Sequence, residues 1–287
     1  MQEITLKNGV KMPSPVTGTA VCGIPGQEKI LNRKMTEAIA YGISIGITNI
    51  DMARDYGNEK LLGGVLCQIT KGLASSRKHL FLSTKVGNGQ QRQGNMKEQL
   101  ERSLANLQLD YLDLWFLHWP LPDYYINNWI QMLDIYNHGD GKVRALGIAN
   151  CEIRHLKAIE DAGLPLPHVM QTEFHPFCNS RDLLGYCKDH GIQLEACTST
   201  GCMWEMVREC DLLKELSEKY KKSIAQIIMR WHYQNGVIPI FRSFNPVHIK
   251  ENIDIYDFEL TDKEMDSIWD LNIDYRVNPA SLNCPGY

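Results

Sequence analysis

The chain lacks several things, and each absence excludes a class of protein. No apolar run approaches the ~20 residues a membrane-spanning helix needs, so no membrane partner is expected. There is no basic excess. Against 30 lysines and arginines stand 34 acids, giving a net charge of −4. That removes the electrostatic footprint of a nucleic-acid binder. The densest basic cluster, Lys219, Lys221 and Lys222 in "KYKK", reads as a solvated helix end. The nine cysteines are odd in number, scattered, and contain no CxxC pair. They suit neither a disulfide framework nor a zinc site, and they point to a reducing, cytoplasmic setting. The opening "MQEITLKNGV" has no apolar core of the secretory kind. No Gly/Ser linker or low-complexity segment divides the 287 residues, so a single domain over 1–287 is expected.

What is present is a recurring unit: a short apolar run, a polar loop, then a helical pattern. The first segment, "ITLKNGVKM", differs. Its Asn8-Gly9 between alternating apolar residues predicts a β-hairpin. Candidate strands follow at "VTGTAV", "ITNID", "LFLSTKV", "LDLWFLH", "VRALGIA", "HVMQTE", "IQLEAC" and "GVIPIF". The segments between them have helical period. Leu100, Leu104 and Leu107 share one face, as do Ile224, Ile227, Ile228 and Trp231, with Ser223 placed to cap the start and Asn235-Gly236 the end. Strands alternating with helices imply a parallel sheet. An open doubly wound sheet usually carries GxGxxG after its first strand, but here that position reads "TGTAVCGIPG". The pattern predicts an α/β fold, a closed (β/α)8 TIM barrel with the N-terminal hairpin capping its bottom.

Chemistry in such a barrel collects at the C-terminal strand ends. Asp51 and Tyr56 fall there, with Lys85, His118, Asn150, Gln171, Glu173, Cys197, Thr198, Arg242 and Ser243. Taken singly, each has an ordinary structural reading; four chemically competent groups at one barrel end do not. Lys85 would neutralise a buried Asp51. A cation near Tyr56 would lower the phenol from its usual ~10, tuning it as a proton donor. His118 would orient the same oxygen. Carbonyl reduction needs such a set, with a nicotinamide as the hydride source. A Schiff-base aldolase using Lys85 is the alternative chemistry.

These segments resemble the aldo-keto reductase family along essentially the whole chain. "GITNIDMARDYGNE" is similar to G-x-x-x-I-D-T-A-x-x-Y-x-N-E, "LSTKV" and "FLHWP" to the lysine and histidine segments, and "MQTEFHPF" to N-Q-V-E-x-H-P. The Asp51–Tyr56, Tyr56–Lys85 and Lys85–His118 spacings of 5, 29 and 33 match the family layout. The resemblance implies an NADPH-dependent barrel without metal or flavin, monomeric, acting on a small carbonyl substrate. Its Asp, Tyr, Lys and His map onto Asp51, Tyr56, Lys85 and His118, with the tyrosine as proton donor. A histidine in the fourth place favours C=O over C=C reduction.

The same resemblance implies cofactor contacts. Asn150 and Gln171 match the carboxamide ligands of "LGIANCE" and "MQTE", and Gly18 and Thr19 a backbone contact. "EACTSTGC" brings Cys197, Thr198 and Thr200, with Cys197 where the family has a tyrosine stacked on nicotinamide; Trp204 or Phe244 would be the substitute ring. "IPIFRSFNPVHIKEN" puts Arg242, Ser243 and Asn245 at a 2′-phosphate, and His248, Glu251 and Asn252 at adenine. His248 replaces an arginine and Ala149 a serine, so NADPH is favoured and NADH stays open. These departures also leave room for a non-catalytic nucleotide sensor of the same family. On the substrate side, Tyr56, His118, Trp119 and Ala20 are expected, the last in place of a usual tryptophan. Tyr124, Tyr125 and Trp204 are candidate walls, and the tail "YRVNPASLNCPGY" is expected across the mouth.

Overall fold

Each of the expected strand segments does form a strand, shortened at its ends. In a computed structural model of the chain, residues 2–21, 27–72 and 76–277 are described. Strands β1 (Gln2–Thr5) and β2 (Lys11–Ser14) pair antiparallel. Gly9 turns the chain between them at φ +84°, which a side chain would resist. The others are β3 (Val16–Gly18), β4 (Asn49–Asp51), β5 (Phe81–Val86), β6 (Leu114–Leu117), β7 (Leu146–Ala149), β8 (Val169–Glu173), β9 (Gln193–Cys197) and β10 (Ile238–Phe241). They run parallel in chain order and close where β10 meets β3, Ile240 opposite Val16. The open-sheet alternative is thereby excluded.

The helices follow from their apolar stripes and caps. In Met96–Leu107 the residues Leu100, Leu104 and Leu107 are buried, and Asn95 caps the first turn through Glu98 N–H. In Ile224–Gln234, Ser223 and Gln226 form a capping box, and Gly236 at φ +74° ends the helix. The lysines of "KYKK" lie at a helix end as expected, Lys219 paired with Glu264 and Lys222 with Asp254 and Asp257. No helix of the described residues is long and apolar enough to cross a membrane.

Period-two alternation sorts each strand's side chains between two cores. Trp115 and Leu117 of β6 join the large cluster under the helices, while Leu114 and Phe116 join a smaller cluster with Leu6 and Met12 of the hairpin. That smaller cluster also holds Phe81, Val169 and Ile238, the first residues of β5, β8 and β10. The hairpin therefore plugs the N-terminal end of the barrel, and Asn49 Nδ2 ties to Pro13 O at 2.7 Å. Following the same alternation upward, β5 passes from Phe81 through Ser83 to Lys85, and β8 from Val169 to Gln171. The interior is apolar at the bottom and charged at the top.

Candidate active site

Asp51 is the last residue of β4, and Lys85 lies one strand over on β5. Lys85 Nζ donates to Asp51 Oδ1 and Oδ2, both at 2.6 Å, to Met52 O at 3.0 Å and to Tyr56 OH at 3.2 Å. Lys85 is wholly buried and Asp51 nearly so. Burial alone would lower the Lys85 pKa, but Asp51 and Tyr56 together raise it above its ordinary value. The pairing expected of Asp51 is present.

A single turn, Arg54–Tyr56, ending in Gly57 at φ +68°, delivers Tyr56 above the pair. The expectation of a lowered phenol is corrected. Burial raises the Tyr56 pKa well above its ordinary value, Lys85 offsets only part of this, and the Asp51 charge adds to the rise. The hydroxyl thus keeps its proton at neutral pH. His118 follows β6 directly, and its ring meets that of Tyr56 edge-on, with centroids 5.7 Å apart. Burial lowers its pKa, with a bond to Asp55 opposing.

Among the cofactor candidates, Asn150 sits just past β7 at φ +59° and donates through Nδ2 to His118 O at 2.8 Å. Gln171 Nε2 donates to Asp51 Oδ1 at 3.2 Å and to Glu195 Oε2 at 2.8 Å. Asp51 and Glu195, the second protonated at neutral pH, both accept from its nitrogen. Thr19 donates through Oγ1 to Asp51 O at 2.9 Å, joining Gly18 and Thr19 to the same strand end. Cys197 ends β9 beside Glu173, partly buried, and burial raises its thiol above the ordinary value, away from the thiolate. Thr198 turns the chain at φ +53°, and Thr200 leads into the following turn.

The second cofactor group clusters past β10. Arg242 is exposed and donates to Ala20 O at 2.8 Å. Ser243 Oγ accepts from Asn245 N at 3.1 Å, and Asn245 caps the helix Pro246–Ile253 through Val247 N. The Arg242 guanidinium lies 5.9 Å from the Phe244 ring. On that helix His248 is exposed, Glu251 partly buried and Asn252 buried. An exposed guanidinium, a hydroxyl and a helix N-terminus are a donor set that fits an anionic group.

On the substrate side, Trp119 is beside His118 but buried, packed with Leu121. Tyr125 opens the helix Tyr125–His138 and meets His155 edge-on, so it packs between helices. Tyr124 is exposed, and Trp204 packs against Tyr275 of the tail. The tail's described part crosses the end of β8: Tyr275 N donates to Phe177 O, and Val277 N to Glu173 Oε1. Residues 278–287 of the tail, and so most of that expectation, lie outside the described residues.

Two acids escaped the sequence reading. Glu195 is almost wholly buried under Gln171. Its Oε1 has no hydrogen-bond partner among the described residues, and burial, then the Asp51 charge, push its pKa up to about 8. Alternation in "IQLEAC" puts it on the same face as Cys197, a usable signal. Asp55 stands beside His118, and no pattern marked it.

A model of the aldo/keto reductase family matches residues 16–273. The chain belongs to that family. It is an oxidoreductase of the nicotinamide-dependent kind. It is 39% identical over 279 residues to a glyoxal reductase of Bacillus subtilis, covering 96% of this chain and 95% of that one. It is 33% identical over 250 residues to the methylglyoxal reductase DkgA of Escherichia coli, covering 86% and 88%. Among solved structures it resembles a Bombyx mori aldo-keto reductase in complex with NADP, at TM-score 0.84 and 26% identity, covering 97% and 95%.

Proposed function

We propose that the chain reduces a small aldehyde or ketone to an alcohol with NADPH, Tyr56 giving the proton. The observation that carries this reading is the Lys85 ammonium, held between the Asp51 carboxylate and the Tyr56 hydroxyl, with His118 against the same tyrosine. The bound nicotinamide would supply a hydride to the carbonyl carbon. Tyr56, protonated at neutral pH, then donates to the oxygen as charge develops there. Lys85 stabilises the phenolate that remains, and Asp51 keeps Lys85 charged. Gln171 and Asn150 would hold the carboxamide, and Arg242, Ser243 and Asn245 the 2′-phosphate.

The aldolase alternative loses support, because an imine needs a neutral amine and Asp51 holds Lys85 as the ammonium. Two relatives carry the names glyoxal and methylglyoxal reductase, which makes 2-oxoaldehydes the first substrates to try. A monomeric, single-domain, cytoplasmic protein is part of the proposal, supported for compartment by nine cysteines that are odd in number and scattered without a CxxC pair.

The test is a fluorescence titration with NADPH and NADH, followed by NADPH oxidation with glyoxal, methylglyoxal and a panel of ketones. Tight NADPH binding with turnover is the expected result. Binding without turnover on any carbonyl would favour the sensor reading. Absence of binding would overturn both.

A further inference from the structure

Asp55 precedes Tyr56 in the chain, and its Oδ2 stands 3.2 Å from His118 Nδ1. Room for it comes from Gly87, the residue after β5. A Cβ at 87 would lie 1.9 Å from Asp55 Oδ1, so a side chain there would displace the carboxylate. The backbone N–H of Asn88 also donates to Asp55, and Arg54 is a nearby cation. A glycine and a backbone amide thus seat one carboxylate against one nitrogen of one ring.

An ionised carboxylate only accepts. When His118 is neutral, its single ring proton is therefore drawn to Nδ1, and Nε2 is left bare. We propose that Asp55 is a positioning residue that fixes the Nδ1–H tautomer of His118 and so decides what Nε2 offers the substrate oxygen. Neutral His118 accepts a hydrogen bond from an alcohol hydroxyl. Only the imidazolium donates one to a carbonyl oxygen. The catalytic consequence rests on the carbonyl–alcohol reading above; the tautomer does not.

The charges facing the ring set when each form prevails. Burial opposes the imidazolium most, Asp55 and Asp51 favour it, and Lys85 opposes it; the neutral Tyr56 ring closes the remaining side. The net direction is below the ordinary imidazole value. At neutral pH His118 is accordingly an acceptor suited to alcohol oxidation, and carbonyl reduction gains as pH falls. This gives the site a pH-dependent bias between the two directions.

The experiment uses the whole protein with 15N-labelled histidine and neither cofactor nor substrate, read by long-range 1H–15N correlation at about pH 8, where the ring is neutral. Wild type should show His118 protonated at Nδ1, and Asp55→Leu should shift it toward the Nε2–H form. Gly87→Ala, which displaces the carboxylate without removing it, should give the same shift if Asp55→Leu folds poorly. An Nε2–H tautomer in wild type, or one pattern in all three proteins, would overturn the assignment. Separately, kcat/KM for glyoxal reduction should fall about tenfold or more from pH 5 to 8 in wild type, the size of effect one hydrogen-bonding acid gives. Asp55→Leu should flatten that fall to about twofold. The expected tautomer with identical pH profiles would overturn the catalytic link. Because the tautomer is read without turnover, its failure is distinguishable from failure of the reductase reading.

Discussion

Lys85 Nζ lies 2.6 Å from each carboxylate oxygen of Asp51, inside a barrel whose lower half is apolar. A buried ion pair adds little net stability over an apolar filling, but half of one is strongly destabilising. Lys85→Met should therefore abolish turnover and lower unfolding stability by about 3–5 kcal/mol. Adding Asp51→Asn should restore much of the stability and none of the activity. Urea unfolding of the single and double variants tests this; a Lys85→Met protein as stable as wild type would contradict the pairing.

Glu195 gives stability a slope with pH. Its folded pKa, about 8, is raised from the ordinary 4.5. The folded state thus holds a proton that the unfolded chain has already released, so stability declines as pH rises between those values and levels off above. Glu195→Gln should remove that decline. Melting temperatures at about pH 5, 7 and 9 would show it, and parallel curves for both proteins would rule Glu195 out as the source.

On the proposed reading, Arg242 tells the two nicotinamide cofactors apart. A charge-assisted bond to phosphate is worth about 1.5–3 kcal/mol, so Arg242→Ala should weaken NADPH by about tenfold or more. NADH, which lacks the phosphate, should change by less than about twofold. Titration with both cofactors decides, and equal losses would remove Arg242 from phosphate recognition.

Cys197 leaves one face of the expected nicotinamide position without a ring from β9. Cys197→Tyr should tighten cofactor binding by up to about tenfold, matching a stacking contact of about 0.5–1.5 kcal/mol. Looser binding would mean that another side chain already fills the space.

The barrel was legible because it rests on periodicity. Eight apolar runs alternating with helical stripes can close in few ways, and the strand ends then bring Asp51, Lys85 and His118 together. The electrostatics were less legible. A lysine near Tyr56 suggested a lowered phenol, but burial, which no linear pattern measures, dominates instead. Glu195 was hidden because its partner Gln171 is 24 residues away on the neighbouring strand. Asp55 was hidden because its contact with His118 depends on the missing side chain of Gly87, a relationship across 32 residues of chain. The pocket walls were least legible. Trp119 was expected at the substrate and Tyr125 as a pocket wall, yet a local cluster buries the first and helix packing diverts the second.

The most direct test of the proposed chemistry is a single-turnover reduction of glyoxal by the NADPH-loaded protein, comparing wild type with Tyr56→Phe. The phenylalanine keeps the ring and removes the hydroxyl that Lys85 contacts. Hydride transfer should slow by about 10²–10⁴-fold while NADPH affinity stays within about twofold. An unchanged rate would show that the proton comes from elsewhere, and the Asp51–Lys85–Tyr56 chain would lose its catalytic role.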